Sequence, residues 1–501
     1  MKSNAVAAII FLILASCVSK TSREVASVQV PSLVDFGKSL SEYTGFVRSS
    51  SFTPSNCGPV YSAIASKVES LDFNLYSNEE LQKEAANLIS ALWQMRLQLH
   101  ARLSEVSPQC QLQVRELFHR MHDQDDYLGE FAYKAQALDP SKLEFQKQAI
   151  PIYDRKAYAP YSVRPDVDDE KFQFYSGDLM LARGVSFFSA IISQISDNKS
   201  QFSHVVFVSQ EPMTKKLNTI ESYIGVGVDK YQMDFALKNE NARLLVLRPK
   251  DRVLGEKAAG FAMESAKARV PYDYFMNFKD YSKMSCVEVA RSAYDKASNG
   301  AVLTPAQPAN LKMNSKDFLD KLNLKNGSLI TPDDLEVDPR FELVLDWRDY
   351  RLLRDSRHKD AILSEMVRWM DEMGYKFHDT PKSFIAKNII LPTRTTRLWP
   401  LVKKLTGSPD LDPALPKKTL GVMLVLNQVG QSLLERLDKQ DLAYIAKFKR
   451  PMTNGQLRAA VNQLRELDLK EYKESNPSFL HFALRPDGIY PRRPPTHGEH
   501  R

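Results

Sequence analysis

The sequence predicts an α+β protein in which a central domain of short strands and helices sits between two helical regions. Three observations lead there. Glycine is scarce, 19 of 501 residues, against an average of roughly 7%. That favours helix and excludes collagen-like and Gly-rich repeat architectures. Leu81, Ala85, Leu88, Leu92, Met95 and Leu99 recur at helical spacing. Only between residues 171 and 300 do strand-like apolar runs alternate with amphipathic helices. The length exceeds one ordinary hydrophobic core, so several domains are expected. With 43% hydrophobic and 26% charged residues, the chain has the composition of a folded protein.

The elements follow in order. Lys2 precedes an apolar run from Ala5 to Ala15, too short to span a bilayer but fitting a signal-peptide core. The run ends in Leu14-Ala15-Ser16-Cys17, which resembles the bacterial lipobox. Residues 1–16 are then a signal peptide, Cys17 the lipidated residue and 17–30 a tether. The alternative is an ordinary secretory signal with a coincidental cysteine. Val18 and Ser19 carry no acidic retention signal, so the resemblance implies a bacterial cell-envelope protein, lipid-anchored to the outer membrane and facing the periplasm. No later segment has 18 uncharged apolar residues, so no transmembrane helix is expected.

Residues 31–150 read as a helical domain, with helices over about 79–105 and 111–133. His119 and His122 lie one turn apart there, near Asp123, Asp125 and Asp126. Such a cluster could ligate a metal, but a solvated helix face is the commoner meaning. Residues 151–170, with Pro151, Pro160 and Pro165, read as a linker. In 171–300 the expected strands are 178–181, 204–208, 219–224 and 242–247. The expected helices are 185–195, 256–268 and 286–296. Residues 301–484 read as mostly helical, and the Pro/Arg tail 485–501 as disordered.

Charge bounds the partners. Sixty-eight Lys and Arg against 61 Asp and Glu give +7, mild for this length. No basic block with interleaved aromatics points to nucleic acid. Anionic envelope polymers or lipids suit the balance better. Cys57 and Cys110 would meet an oxidising compartment and are expected to form a disulfide, the alternative being two buried thiols. That leaves Cys286 unpaired, a reactive-thiol candidate.

Three segments of the central region could carry chemistry: Ser176-Gly177-Asp178 through Arg183-Gly184, Ser203-His204-Val205, and Ser285-Cys286-Val287-Glu288. A helix N-terminus favours a thiolate through its unpaired N–H groups and dipole. Ser285 suits the N-cap position, which puts Cys286 at the helix start. His204 opens an apolar strand and could act as the base. Glu221, on the next strand, is a candidate to orient the imidazole. Asp178 and Arg183 read as a turn-capping carboxylate and its ion-pair partner. Phe187, Phe188, Ile191 and Ile192 could line an acyl groove or form the core face of their helix.

The order of these segments resembles the YiiX-like, circularly permuted members of the NlpC-type papain-fold amidohydrolases. In that family a Gly-Asp…Arg-Gly segment opens the domain, a Ser-His-Val strand follows, and the nucleophilic cysteine comes last at a helix start. Val287 departs from the family, which usually has Ser there. The resemblance covers about 130 residues. It implies a permuted papain-like catalytic domain in which Cys286 is nucleophile, His204 base and Glu221 orienting residue, with no metal or cofactor required. An envelope peptidase or amidase acting on peptidoglycan stem peptides is the first functional expectation. An acyl-lipid hydrolase or acyltransferase and a non-catalytic scaffold are the alternatives. Oligomeric state is not legible.

Overall fold

The computed structural model describes residues 32–49, 58–134, 161–163, 172–378 and 417–490, apart from 198, 212, 301–308, 323 and 326. Cys17, Cys57, the signal peptide, the tether, most of the linker and the tail beyond 490 lie outside the described residues. Cys110 is disulfide-bonded. Among the described residues, no helix is long and apolar enough to cross a membrane.

Four helices open the fold: α1 (Leu33–Arg48), α2 (Gly58–Glu69), α3 (Asn78–Ala101) and α4 (Pro108–Lys134). Ser77 starts α3 with a capping box. Its N–H donates to Glu80 Oε2 at 2.9 Å, and the Glu80 N–H donates back to Ser77 Oγ at 3.2 Å. The helical-period residues from Leu81 to Leu99 are all buried.

The centre is a seven-stranded antiparallel sheet in the order β1–β9–β6–β2–β3–β4–β5. Its strands are β1 (Tyr161–Val163), β2 (Leu179–Gly184), β3 (His204–Gln210), β4 (Leu217–Tyr223), β5 (Gly227–Gln232), β6 (Asn241–Pro249) and β9 (Phe341–Arg348). Two short ribbons stand apart, β7 (Ala309–Leu311) with β8 (Gly327–Leu329), and β10 (Tyr375–Phe377) with β11 (Leu484–Pro486). Strand β9 comes from beyond residue 300, within the stretch expected to be mostly helical. Every residue of β6 is buried, so its outer edge needs a backbone partner, and β9 supplies one.

Helices α5 (Phe187–Gln194), α6 (Met233–Lys238), α7 (Arg252–Lys267) and α8 (Cys286–Ala297) are interleaved with the strands. Then come α9 (Lys316–Leu322), α10 (Pro332–Glu336), α11 (Tyr350–Glu372), α12 (Lys417–Phe448) and α13 (Asn454–Lys473). α7 and α8 pack on each other and on the β3–β5 end of the sheet, while α3 and α11 reach β9 and β6. Phe187 and Ile191 pack in a separate apolar cluster with Ile362 of α11 and Leu426 and Val429 of α12. Their face is core, and Cys286 belongs to a different cluster.

The His/Asp cluster of α4 is not a solvated face: His122, Asp125 and Asp126 are buried. The reason lies in the sheet. Arg183, Arg243 and Arg348 stand directly across from one another on β2, β6 and β9, and like charges so placed repel. Asp126 accepts from Arg243 Nε at 2.6 Å and Arg348 Nε at 2.9 Å. Arg183 pairs with Asp360 of α11 at 2.5 Å. Arg348 also meets Asp125 at 3.1 Å and Asp346 at 2.5 Å, and Arg96 of α3 joins both acids. Arg348 donates to His122 Nδ1, and a guanidinium can only donate. His122 Nε2 therefore carries the proton and donates to Glu336 at 2.9 Å. Burial, then Arg96, Arg348 and Arg243, hold His122 well below the ordinary histidine range, so it stays neutral. Among the described residues, no group of three or more His, Cys, Asp or Glu is placed to hold a metal ion.

Removing one member of such a network strands a buried charge, which costs about 3–5 kcal/mol. Asp126→Asn should lower unfolding stability by that order, read as a shift in the urea midpoint at unchanged m-value. A change below about 1 kcal/mol would mean that the network is solvated.

Candidate active site

Strand β4 supplies the polar side of the site. Thr219, Glu221 and Tyr223 alternate along one face by the two-residue period of a strand. Their intervening neighbours turn the other way: Ile220 joins the core, and Ser222 Oγ donates to the Met284 carbonyl at 2.6 Å. Three donors converge on the buried Glu221 carboxylate. Thr219 Oγ1 donates to Oε1 at 2.6 Å, Tyr223 OH to Oε2 at 2.6 Å, and His204 Nε2 meets Oε2 at 3.0 Å. The Tyr223 ring also stacks on His204, with centroids 5.0 Å apart and planes 24° from parallel. Burial, then the neighbouring Glu221, raises the Tyr223 hydroxyl well above its usual range, so it remains a donor.

Helix α8 supplies the sulfur. Cys286 is its first residue and is 8% exposed, the free cysteine among the described residues. Ser285 and Glu288 close a capping box, in which the Ser285 N–H donates to Glu288 Oε2 at 2.7 Å. Among the described residues, the N–H groups of Cys286 and Val287 have no protein acceptor. Burial pushes the Glu288 carboxyl up to about 7, so near neutrality it is partly protonated and adds less negative charge beside the sulfur.

The approach to Cys286 is tied down at several points. The Met284 N–H donates to the Pro271 carbonyl at 2.9 Å, and Asp273 accepts from the N–H groups of Phe275 and Asn277 at 2.8 and 2.6 Å. Tyr272 is held well above its usual range by burial, then by the charges of Cys286 and Glu288. Its partner Tyr274 lies 5.1 Å away, centroid to centroid.

His204 joins the two halves. Burial opposes its protonation, but the negative charge at Cys286, a hydrogen bond to that residue and the bond to Glu221 outweigh it. The imidazole is raised to about 10. With Nε2 on Glu221, Nδ1 is left for the sulfur. The three residues expected from the sequence, Cys286, His204 and Glu221, are thus brought together.

The opening motif is structural, with one changed partner. Gly177 has φ +92°, and a Cβ there would come within 2.5 Å of Gly255 Cα, so glycine alone fits the contact between turn and α7. Asp178 caps the turn through the Tyr175 N–H at 3.0 Å. Its ion-pair partner is Arg248, at 2.9 Å, not Arg183. Arg183 lies five residues on, an odd spacing along an extended chain that turns the two side chains to opposite faces, whereas Arg248 stands on the adjacent strand β6. Thr219 and Tyr223 escaped the sequence reading. The signal was there in the period-two run Thr219–Glu221–Tyr223.

No family model matches the chain, and no curated protein matches it. Among solved structures it is similar to the metalloprotein yiiX of Escherichia coli O157:H7. The TM-score is 0.28 and the identity 18%, over 34% of this chain and 97% of that one. A likeness that slight carries no functional conclusion.

Two variants separate the causes of the raised imidazole. Replacing Cys286 by Ala should lower the His204 titration more than Glu221→Gln does, read by NMR of the labelled histidine ring. The sign is fixed by linkage. A histidine raised above its unfolded value of about 6.5 contributes stability that is complete below that pH and is lost as pH rises through about 10. Stability of either variant should therefore depend less on pH across that window. An unshifted His204 in both would break the proposed contacts.

Proposed function

We propose that the chain is a cysteine hydrolase of amide bonds, with a permuted papain-like domain built on β2–β6 and α8. The observation that carries the reading is His204 held between Glu221 and Cys286 at the start of a helix. A nucleophile, a base and an orienting group in hydrogen-bonded series is the arrangement that acyl transfer requires.

The chemistry follows from the geometry. The His204 ring already holds the proton taken from Cys286, and the sulfur attacks the carbonyl carbon. Negative charge then develops on the carbonyl oxygen, where the N–H groups of Cys286 and Val287 are free to donate. His204 returns the proton to the leaving amine, and a thioester on Cys286 remains. Water, deprotonated by His204, releases the acid and restores the sulfur. Glu221, clamped by Thr219 and Tyr223, keeps Nδ1 facing the sulfur throughout.

The substrate reading rests on the sequence. The lipobox-like Leu14–Cys17 segment and the mild positive charge favour an outer-membrane lipoprotein acting on the stem peptides of peptidoglycan. The Phe187 face of α5 packs into core, which weakens the acyl-lipid alternative.

Purified sacculi incubated with the protein should release new stem-peptide fragments, seen by mass spectrometry. Cys286→Ala should abolish release while leaving the far-ultraviolet circular-dichroism spectrum of the folded protein unchanged, because the swap is small and apolar. His204→Ala should slow it by roughly 10²–10⁴-fold. Release that persists in Cys286→Ala would end the cysteine mechanism. An intact, iodoacetamide-reactive protein that releases nothing would end the peptidoglycan assignment and leave the cysteine chemistry standing.

A further inference from the structure

A polar cavity lies away from Cys286, where the loop before β3 meets α4, α11 and α13. Lys199, Gln201, Asp123 and Arg458 are among its lining residues, with Arg243, Arg357 and Asp360. Some of this charge is already matched inside the protein. Arg243 is bound to Asp126, Arg357 to Glu130 and Asp360 to Arg183. Lys199 and Arg458 differ: among the described residues, neither has a carboxylate within 4 Å. Lys199 donates to Ser364 Oγ at 2.6 Å, which leaves two of its N–H groups. Burial, and then repulsion from Arg458, hold Lys199 below the ordinary lysine range against the opposite pull of Glu365, Asp123 and Asp360.

The cavity also presents acceptors. Gln201 is 4% exposed, and its Nε2 donates to Asp123 at 2.9 Å. Its Oε1 is buried with no hydrogen-bond partner, a state that costs free energy unless something donates to it. Asp123 accepts on the same wall. A ligand suited to all of these groups carries negative oxygens and also keeps a proton on one of them.

We propose that this cavity binds a hydrogen phosphate ion, its charged oxygens on Lys199 and Arg458 and its P–OH donating toward Gln201 and Asp123. Sulfate has the same shape and charge but no proton at neutral pH, so it would set a bare oxygen against those acceptors. A phosphodiester lipid headgroup also lacks the P–OH. The site thus selects free phosphate over both, and it is independent of the chemistry at Cys286.

Titration calorimetry on the full chain at constant ionic strength tests this, with sodium phosphate, sodium sulfate and phosphatidylglycerol vesicles as separate titrants. Constant ionic strength removes the general screening of surface charge. Phosphate should bind saturably and roughly tenfold or more tighter than sulfate, the worth of one charge-assisted hydrogen bond. The double variant Lys199→Gln with Arg458→Gln should lose about tenfold or more in phosphate affinity at an unchanged melting temperature. Arg458 is an exposed helix residue, so Arg458→Gln alone keeps the test if the double variant does not fold. Equal affinities for phosphate and sulfate would overturn the proposal. So would phosphate binding that the variants leave unaltered, or vesicle binding without phosphate binding.

Discussion

Three arginines stand side by side across the central sheet, and most of the architecture can be understood as the answer to them. Arg183, Arg243 and Arg348 occupy facing positions on β2, β6 and β9. All three are buried, and a bare row of buried guanidinium groups would not fold. The acids come from both sides of the sheet in sequence. Asp125 and Asp126 arrive from the N-terminal helices, and Asp360 from the helix after β9. The helical flanks are therefore not appendages. Each carries charge that the sheet lacks, so flank and sheet are expected to fold as one cooperative unit.

The same end of the sheet holds the proposed base. His204 stands across from Ala182, the residue before Arg183. The loop that delivers His204 is held by the arginine row and its neighbours: Arg243 donates to the Gln201 carbonyl at 2.9 Å, and Asp333 accepts from the Gln201 N–H at 2.8 Å. A general base needs a fixed ring more than a particular strand. Here the ring is fixed by its bond to Glu221 and by the stacked ring of Tyr223. The sulfur is positioned separately, by the cap of α8 and by Ser222 of β4. Strand β4 thus serves both halves, with Glu221 on one face and Ser222 on the other.

The candidate trio was legible in the sequence because each member has a local signature. Cys286 follows a good N-cap and precedes Glu288. His204 opens an apolar strand. Glu221 sits on the next strand. Local patterns likewise marked the helix at 79–105 and the strand at 242–247, since periodicity needs no knowledge of distant partners. The buried α4 cluster was not legible. On one helix His122, Asp125 and Asp126 look like a wet face, and only the arginines of β6 and β9, more than a hundred residues away, make it dry. For the same reason Asp178 was matched to the nearest arginine in sequence, while its partner is Arg248 on the adjacent strand.

The sequence by itself determined the α+β class, the helical periods, the chemical identity of the trio and the cap that places a sulfur at a helix start. These are properties of short windows, governed by backbone geometry and side-chain spacing. Tertiary structure alone decided that β9 completes the sheet and that the flanks neutralise the arginine row. Each of those depends on sheet register, which is set by the sum of many distant pairings and leaves no trace in any single segment.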